Sequence, residues 1–326
     1  MVSPVFAVLF AISLLTPQPA EPGVAPGAAV PPVVGAVAEM RLGAVWAGGE
    51  TRRYRYSQRV SEKTGSAETP ETFVERQGTM RMEVGVTRMV ATNAPPDSTA
   101  LGFGEIAYQM TIDSLRLTAA MPQGGEVVFD SADPELCKDD NRFSPSARPL
   151  VGATVVFVAD AAGKVVRAEG YDELLDISSP SARLAVQIIE STSIGAKFGP
   201  VLGFVAPGAG AVVDAKWEQS RSVPYVPGIV LEVVDVCTVT GLDGALVTVA
   251  STGTPTLRIP NPGRLGTREV AASNIHATTT WDAGTGGLRR HEATMATDVL
   301  LKAANKGPGS VGLVRNRVES VLEAIE

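Results

Sequence analysis

Val151–Thr192, VGATVVFVADAAGKVVRAEGYDELLDISSPSARLAVQIIEST, is the stretch that decides the fold class. Val155, Val156, Phe157 and Val158 form a β-branched and aromatic run that suits a buried, pleated strand. Asp160, Ala161, Ala162 and Gly163 supply a turn, and Lys164–Ala168 returns as the second strand of a hairpin. Gly170 then lets the chain leave the sheet. Two short helices are predicted next, over Tyr171–Ile177 and Ser181–Thr192. Ser178 or Ser179 offers a polar cap, and Pro180 falls where the first helical turn tolerates it. Leu184, Ala185, Ile188 and Ile189 form an apolar stripe that needs a partner surface, which the sheet provides. Ile194–Pro207 is apolar but broken by Gly195, Gly199, Pro200 and Gly203. It reads as an irregular crossing anchored by Phe198, Leu202 and Phe204.

Strands are predicted on both sides of this hub. Arg52–Val60 alternates, with Tyr54 and Tyr56 on one face and Arg53 and Arg55 on the other. Thr79–Val90 alternates most cleanly, placing Met80, Met82, Val84 and Val86 together. In Glu105–Ala119 the apolar parity switches between Ile112 and Leu115, the mark of a bulge that bends a sheet. Glu126–Ser131 follows. Beyond the helices come Lys216–Val226, Ile229–Thr240, Ala245–Thr252, Ala271–Trp281 and Leu288–Leu301. Val314, Val318, Val321, Leu322 and Ile325 recur at helical spacing and predict a C-terminal amphipathic helix. With no βαβ alternation, the expectation is a mainly β (α+β) fold. It is a large curved antiparallel sheet or half-barrel with a helical insertion near 171–206 and a C-terminal helix.

Of the 326 residues, 44% are hydrophobic and 19% charged, which suits a folded chain able to bury a core without metal or disulfide help. The net charge of -7 and the absence of a basic patch with interleaved aromatics argue against nucleic-acid binding. Phe6–Leu15, FAVLFAISLL, has the length of a signal-peptide core and is shorter than the ~20 residues a membrane span needs. Residues 1–20 are therefore expected to be a signal peptide, with Ala20 as the cleavage residue. No Cys follows, so the chain is expected to be exported (periplasmic or extracellular) without being a lipoprotein, or anchored if the signal stays uncleaved. Residues 21–38 are Pro- and Ala-rich and read as a tether. Residues 39–326 form one β-rich domain. Cys137 and Cys237, the two cysteines, are a candidate disulfide in an exported protein.

Little in the chain points to chemistry. His276 and His291 both fall in the last long hairpin, but their parity places them on opposite faces, and no third metal ligand accompanies them. The acidic residues of Asp133–Asn141 lack EF-hand spacing and read as a solvated loop. No Gly-x-Ser-x-Gly elbow, dinucleotide fingerprint or phosphate loop occurs. No catalytic residue, cofactor or metal is assigned.

Three motifs resemble an uncharacterised family of exported bacterial β-rich proteins, a domain of unknown function. They are Val128-Phe129-Asp130-Ser131, then Val158-x-Asp160-x-x-Gly163-x-Val165 with Gly170, and Trp281-Asp282 with Gly287-Leu288-Arg289. The resemblance implies export and a single β-rich domain and carries no activity. The plan of a curved sheet with helices over its concave side is also similar to that of the half-barrel lipoprotein-carrier proteins, which hold acyl chains in an apolar hollow.

The function expected from these features is binding of an apolar or amphipathic ligand, a small molecule or lipid, between sheet and helices. Met80, Met82, Val84, Leu184, Ile188, Phe198, Leu202 and Phe204 would line that site. The alternative is a non-catalytic structural or interaction protein of the cell envelope with a solid core.

Overall fold

A computed structural model describes residues 42, 44–47, 49–66, 74–92, 101, 105–120, 124–160, 163–176, 181–203, 212–226, 229–258, 267–302 and 311–325. The expected signal peptide and tether, and Phe204, lie outside them. Strands β1 (Thr51–Ser66), β2 (Val74–Thr92), β3 (Ile106–Ala120) and β4 (Glu126–Asp130) are followed by a short helix α1 (Ser144–Ala147). The hub hairpin is β5 (Thr154–Ala159) and β6 (Val165–Glu169). Helices α2 (Asp172–Leu175), α3 (Ala182–Ile189) and α4 (Ser191–Phe198) and a 3-10 turn, Gly199–Leu202, come next. Strands β7 (Lys216–Val226), β8 (Ile229–Asp243), β9 (Leu246–Arg258), β10 (Thr267–Asp282), β11 (Gly287–Lys302) and β12 (Val311–Ile325) complete the chain.

Among the described residues the twelve strands join one sheet in the order β6-β5-β3-β2-β1-β12-β11-β10-β9-β8-β7, with β4 beside β3. Every pairing is antiparallel. The expected large antiparallel sheet with a helical insertion is therefore present. Its two edges, β6 and β7, are consecutive strands in the chain, so the helices between them run from one edge of the sheet to the other. Helix α4 packs against both edge strands. Edge strands expose unpaired backbone groups, and a helix across them is one way of covering those groups.

The expected irregular crossing is in its first part a helix. The Ile194 amide donates to the Glu190 carbonyl at 2.8 Å, and α4 continues to Phe198 before Gly199-Pro200 ends it. Gly195 weakens an isolated helix by about 1 kcal/mol relative to Ala. A Cβ at Gly195 would stand 3.6 Å from Val165 Cβ, an ordinary packing distance, so α4 meets β6 here with room for an alanine.

Curvature comes from register shifts between β1 and β2, β5 and β6, β7 and β8, β8 and β9, and β10 and β11. The expected parity switch is real. Tyr108, Met110 and Ile112 are buried on one side of β3, and Leu115 and Leu117 are buried after the switch. Strand β2 switches in step, from Met82 and Val84 to Met89 and Ala91, because Gly85 pairs with Ser114. A Cβ on Gly85 would lie 2.1 Å from Ser114 Oγ, so a larger residue at this bend requires the Ser114 hydroxyl to turn away.

Two expectations are corrected. The C-terminal segment is β12, paired to β1 and β11 along its length, and not a helix. Val314, Val318 and Leu322 are four apart, an even spacing that fits one face of a strand as well as one face of a helix. Asn316 and Ser320, on the same face, hide the alternation. Cys137 and Cys237 are free thiols. Cys137 Sγ turns back to its own loop, 3.8 Å from the Pro134 carbonyl, while Cys237 is buried on β8 opposite Trp217 and Ser251.

The three motifs prove to be turn and clasp chemistry. Ser131 exchanges hydrogen bonds with the Leu115 backbone, accepting at Oγ and donating from its amide. Asp160 accepts the Lys164 amide at 2.9 Å, with Gly163 at positive φ in the same turn. Asp282 accepts the Gly284 and Thr285 amides and the Arg289 guanidinium.

Candidate functional site

The residues expected to line a hollow are brought together, but as packed core. Met82, Val84, Ile188, Phe198 and Leu202 are buried in one cluster, and Leu184 packs against it. Tyr56 from β1 meets Phe198 from α4 with ring centroids 5.7 Å apart. These side chains touch one another, and the helices fill the inside of the curve. Met80 stands apart: it is half-buried and outside this cluster.

Met80 belongs instead to a row that crosses the inner face on consecutive strands. Ile275 pairs with Met295, Met295 with Val318, Val318 with Val60, and Val60 with Met80. Ile275 is buried and the other four are half-buried. None belongs to the cluster that the helices complete; Ile275 and Met295 join a separate one with Leu231 and Val233. One pair further along β11 and β12, Thr297 faces Asn316. Both are buried, and neither Thr297 Oγ1 nor Asn316 Oδ1 has a hydrogen-bond partner. Val299 and Val314 follow, so a polar pair is set in an apolar wall. Alternation alone missed this row, because Gln58 and Ser320 interrupt the apolar pattern on β1 and β12; only the cross-strand register assembles it.

The buried ionisable groups are committed to structure. Lys197 Nζ donates to the Gln187 carbonyl at 2.5 Å, near the C-terminal end of α3. Burial pushes its pKa down to about 8, against the opposing pull of Glu190. Arg221 grips the buried Asp235 through two hydrogen bonds. His291 Nδ1 lies 2.8 Å from Thr279 Oγ1, and burial, assisted by Arg221, pushes its pKa down to about 4. As the parity predicts, His291 faces inward while His276 is exposed on the outer face. Among the described residues no group of three or more His, Cys, Asp or Glu side chains is placed to hold a metal ion.

The outer face is highly charged. Ion pairs cross β1, β12 and β11: Arg55–Glu323 at 3.5 Å, Arg290–Glu323 at 3.0 Å, and Asp298 with both Arg315 and Arg317. A cationic side chain on the lipid face of a membrane barrel costs about 2–4 kcal/mol at mid-bilayer. These strands therefore present a face suited to water. Among the described residues no helix is long and apolar enough to cross a membrane.

A groove of 470 Å³ lies on this outer face, across β2, β1, β12, β11 and β10. Ser57, Thr278 and Thr294 keep its floor low, and Arg59, Arg81, Glu83, Glu292 and Glu319 stand around it. Arg59 sits directly between Arg81 and Glu319 in register.

No family model matches the chain, and no curated protein matches it. Among solved structures, lipovitellin, studied for its lipid–protein interactions, is similar at a TM-score of 0.39 and 11% identity over 86% of this chain. The chain spans only 25% of that lipovitellin chain. DynF from the dynemicin biosynthesis pathway of Micromonospora chersina is similar at 0.21 and 7%, over 90% of this chain and 92% of its own. An outer-membrane channel from Pseudomonas putida F1 is similar at 0.22 and 9%, over 86% and 97%. Function has to be read from the residues of the chain itself.

Proposed function

We propose that the protein is an exported, non-catalytic binding module for an amphipathic ligand, held on the inner face of the sheet beside the helices and not beneath them. The observation that carries this reading is the row Ile275–Met295–Val318–Val60–Met80, one apolar side chain on each of five consecutive strands. Four interstrand spacings make a path of about 19 Å. A mostly apolar wall with few polar groups is the usual composition of a small-molecule site. Thr297 and Asn316 are those polar groups: a buried acceptor left unpaired costs about 1–3 kcal/mol, which a ligand hydroxyl or amine recovers. The Phe6–Leu15 run is the basis for export, with the mature domain starting near residue 39 after a tether.

Native mass spectrometry of protein purified from a bacterial envelope, followed by solvent extraction, tests the reading. Bound mass that extracts as a lipid or other amphiphile is expected, on a chain whose N-terminus lies beyond Ala20. A bare chain that takes up no added amphiphile refutes ligand binding.

The second reading, a structural or interaction protein of the envelope, is favoured by the solid packing of Met82, Val84, Ile188 and Phe198 where a hollow was expected. A bare chain that co-purifies with a defined envelope protein supports it.

A further inference from the structure

We propose that the outer groove is a second site, independent of the inner face, which binds a short zwitterionic peptide by its two ends. Arg59 and Arg81 are directly opposed on neighbouring strands. Like charges so placed are destabilising. Both side chains are exposed, and neither forms an ion pair with the acidic groups around it, although Glu319 is opposite Arg59 and Glu83 shares a face with Arg81. Two arginines at directly opposed positions, neither in an ion pair, can together present donors to a carboxylate or phosphate oxygen pair.

The rest of the rim selects between those anions. Glu83, Glu292 and Glu319 ring the same groove, and three carboxylates repel a nucleic acid or a polyphosphate. A ligand with one anionic and one cationic end satisfies both halves. Its carboxylate lies at Arg59 and Arg81 on β1 and β2. Its ammonium lies at Glu319 on β12, with Glu292 on β11, which also pairs with Arg290, on its far side. Measured from the midpoint between Arg59 and Arg81, Glu319 and Glu292 lie one and a half and two and a half strands away, about 7 and 12 Å at 4.8 Å per strand. An extended peptide covers about 3.4 Å per residue, so the span corresponds to about two to four residues. The low floor of Ser57, Thr278 and Thr294 leaves 470 Å³ for such a chain and sets no demand for large side chains. Recognition is therefore of the two termini.

The test is calorimetric titration of the full-length protein at low salt with tetra-alanine and with its N-acetylated and C-amidated forms. Tetra-alanine is expected to bind, and blocking either end to weaken binding at least tenfold. The double variant Arg59→Gln/Arg81→Gln should lose the distinction between free and amidated C-termini while it still distinguishes the N-acetylated form. Both positions are exposed, and circular dichroism checks the fold of the variant. Absence of heat with tetra-alanine at millimolar concentration, equal binding of blocked and free peptides, or binding of inorganic phosphate as tight as that of the peptide each overturns the proposal.

Discussion

The Arg52 guanidinium donates at 2.8 Å to the carbonyl of Gly286, 234 residues away. It also donates to the carbonyls of Val45 and Thr285, pairs with Glu50, and lies 4.4 Å from the centre of the Trp46 ring. One side chain thus ties the start of β1 to the β10–β11 turn, and through Trp46, in edge contact with Tyr108, to β3. Arg52→Lys keeps the charge but cannot make the fork. It should cost on the order of 2–3 kcal/mol, seen as a lower urea midpoint at an unchanged slope.

Gly253 makes room for the buried Asp235. A Cβ there would lie 2.7 Å from Asp235 Oδ1 and 2.7 Å from Val233 Cγ1. Gly253→Ala should therefore destabilise by about 1–3 kcal/mol through overpacking. A thermal melt that matches the parent would show that β8 and β9 can part without cost.

His291 gives the fold a defined acid response. Its folded pKa is near 4, below the ordinary value of 6.5. Between these values the unfolded chain binds a proton that the folded chain does not, so stability falls as pH drops from 6.5 toward 4. The loss should be on the order of 3 kcal/mol. His291→Gln should flatten that part of the curve of unfolding free energy against pH.

The two thiols should differ sharply. Burial, with Asp235 adding to it, pushes Cys237 up to about 12, whereas Cys137 is only partly buried. A thiol reagent at pH 8 should label Cys137 alone in the native protein and both cysteines after unfolding without reductant. A single label in the unfolded state would contradict two free thiols.

The fold was largely legible because its strands carry local signals. The β5–β6 hairpin, the Met80/Met82/Val84 face and the parity switch in β3 could all be read from side-chain period. The last strand could not: Asn316 and Ser320 break its alternation, and the spacing of Val314, Val318 and Leu322 suits either period. The proposed site was legible only in part. Met80 was singled out from the Met stripe, but its neighbours Val60, Val318 and Met295 come from strands far apart in the chain, and their adjacency is a matter of register. Nor could hydrophobicity distinguish a hollow from a packed core. Ile188 and Phe198 are as apolar in the one as in the other, and what decides is how closely α3 and α4 approach the sheet.

The central claim, that an amphipathic ligand lies along the inner face beside the helices, is tested most directly by titrating a fluorescent fatty-acid probe against three proteins: the parent, Val318→Thr/Met295→Gln, and Met82→Leu. The paired variant keeps side-chain size while making the row polar, and Met82→Leu perturbs only the packed half. The prediction is that the parent and Met82→Leu bind the probe alike and the paired variant binds at least tenfold more weakly, with all three equally folded by circular dichroism. Equal binding by the paired variant, with loss in Met82→Leu, would place the ligand beneath the helices and contradict this account.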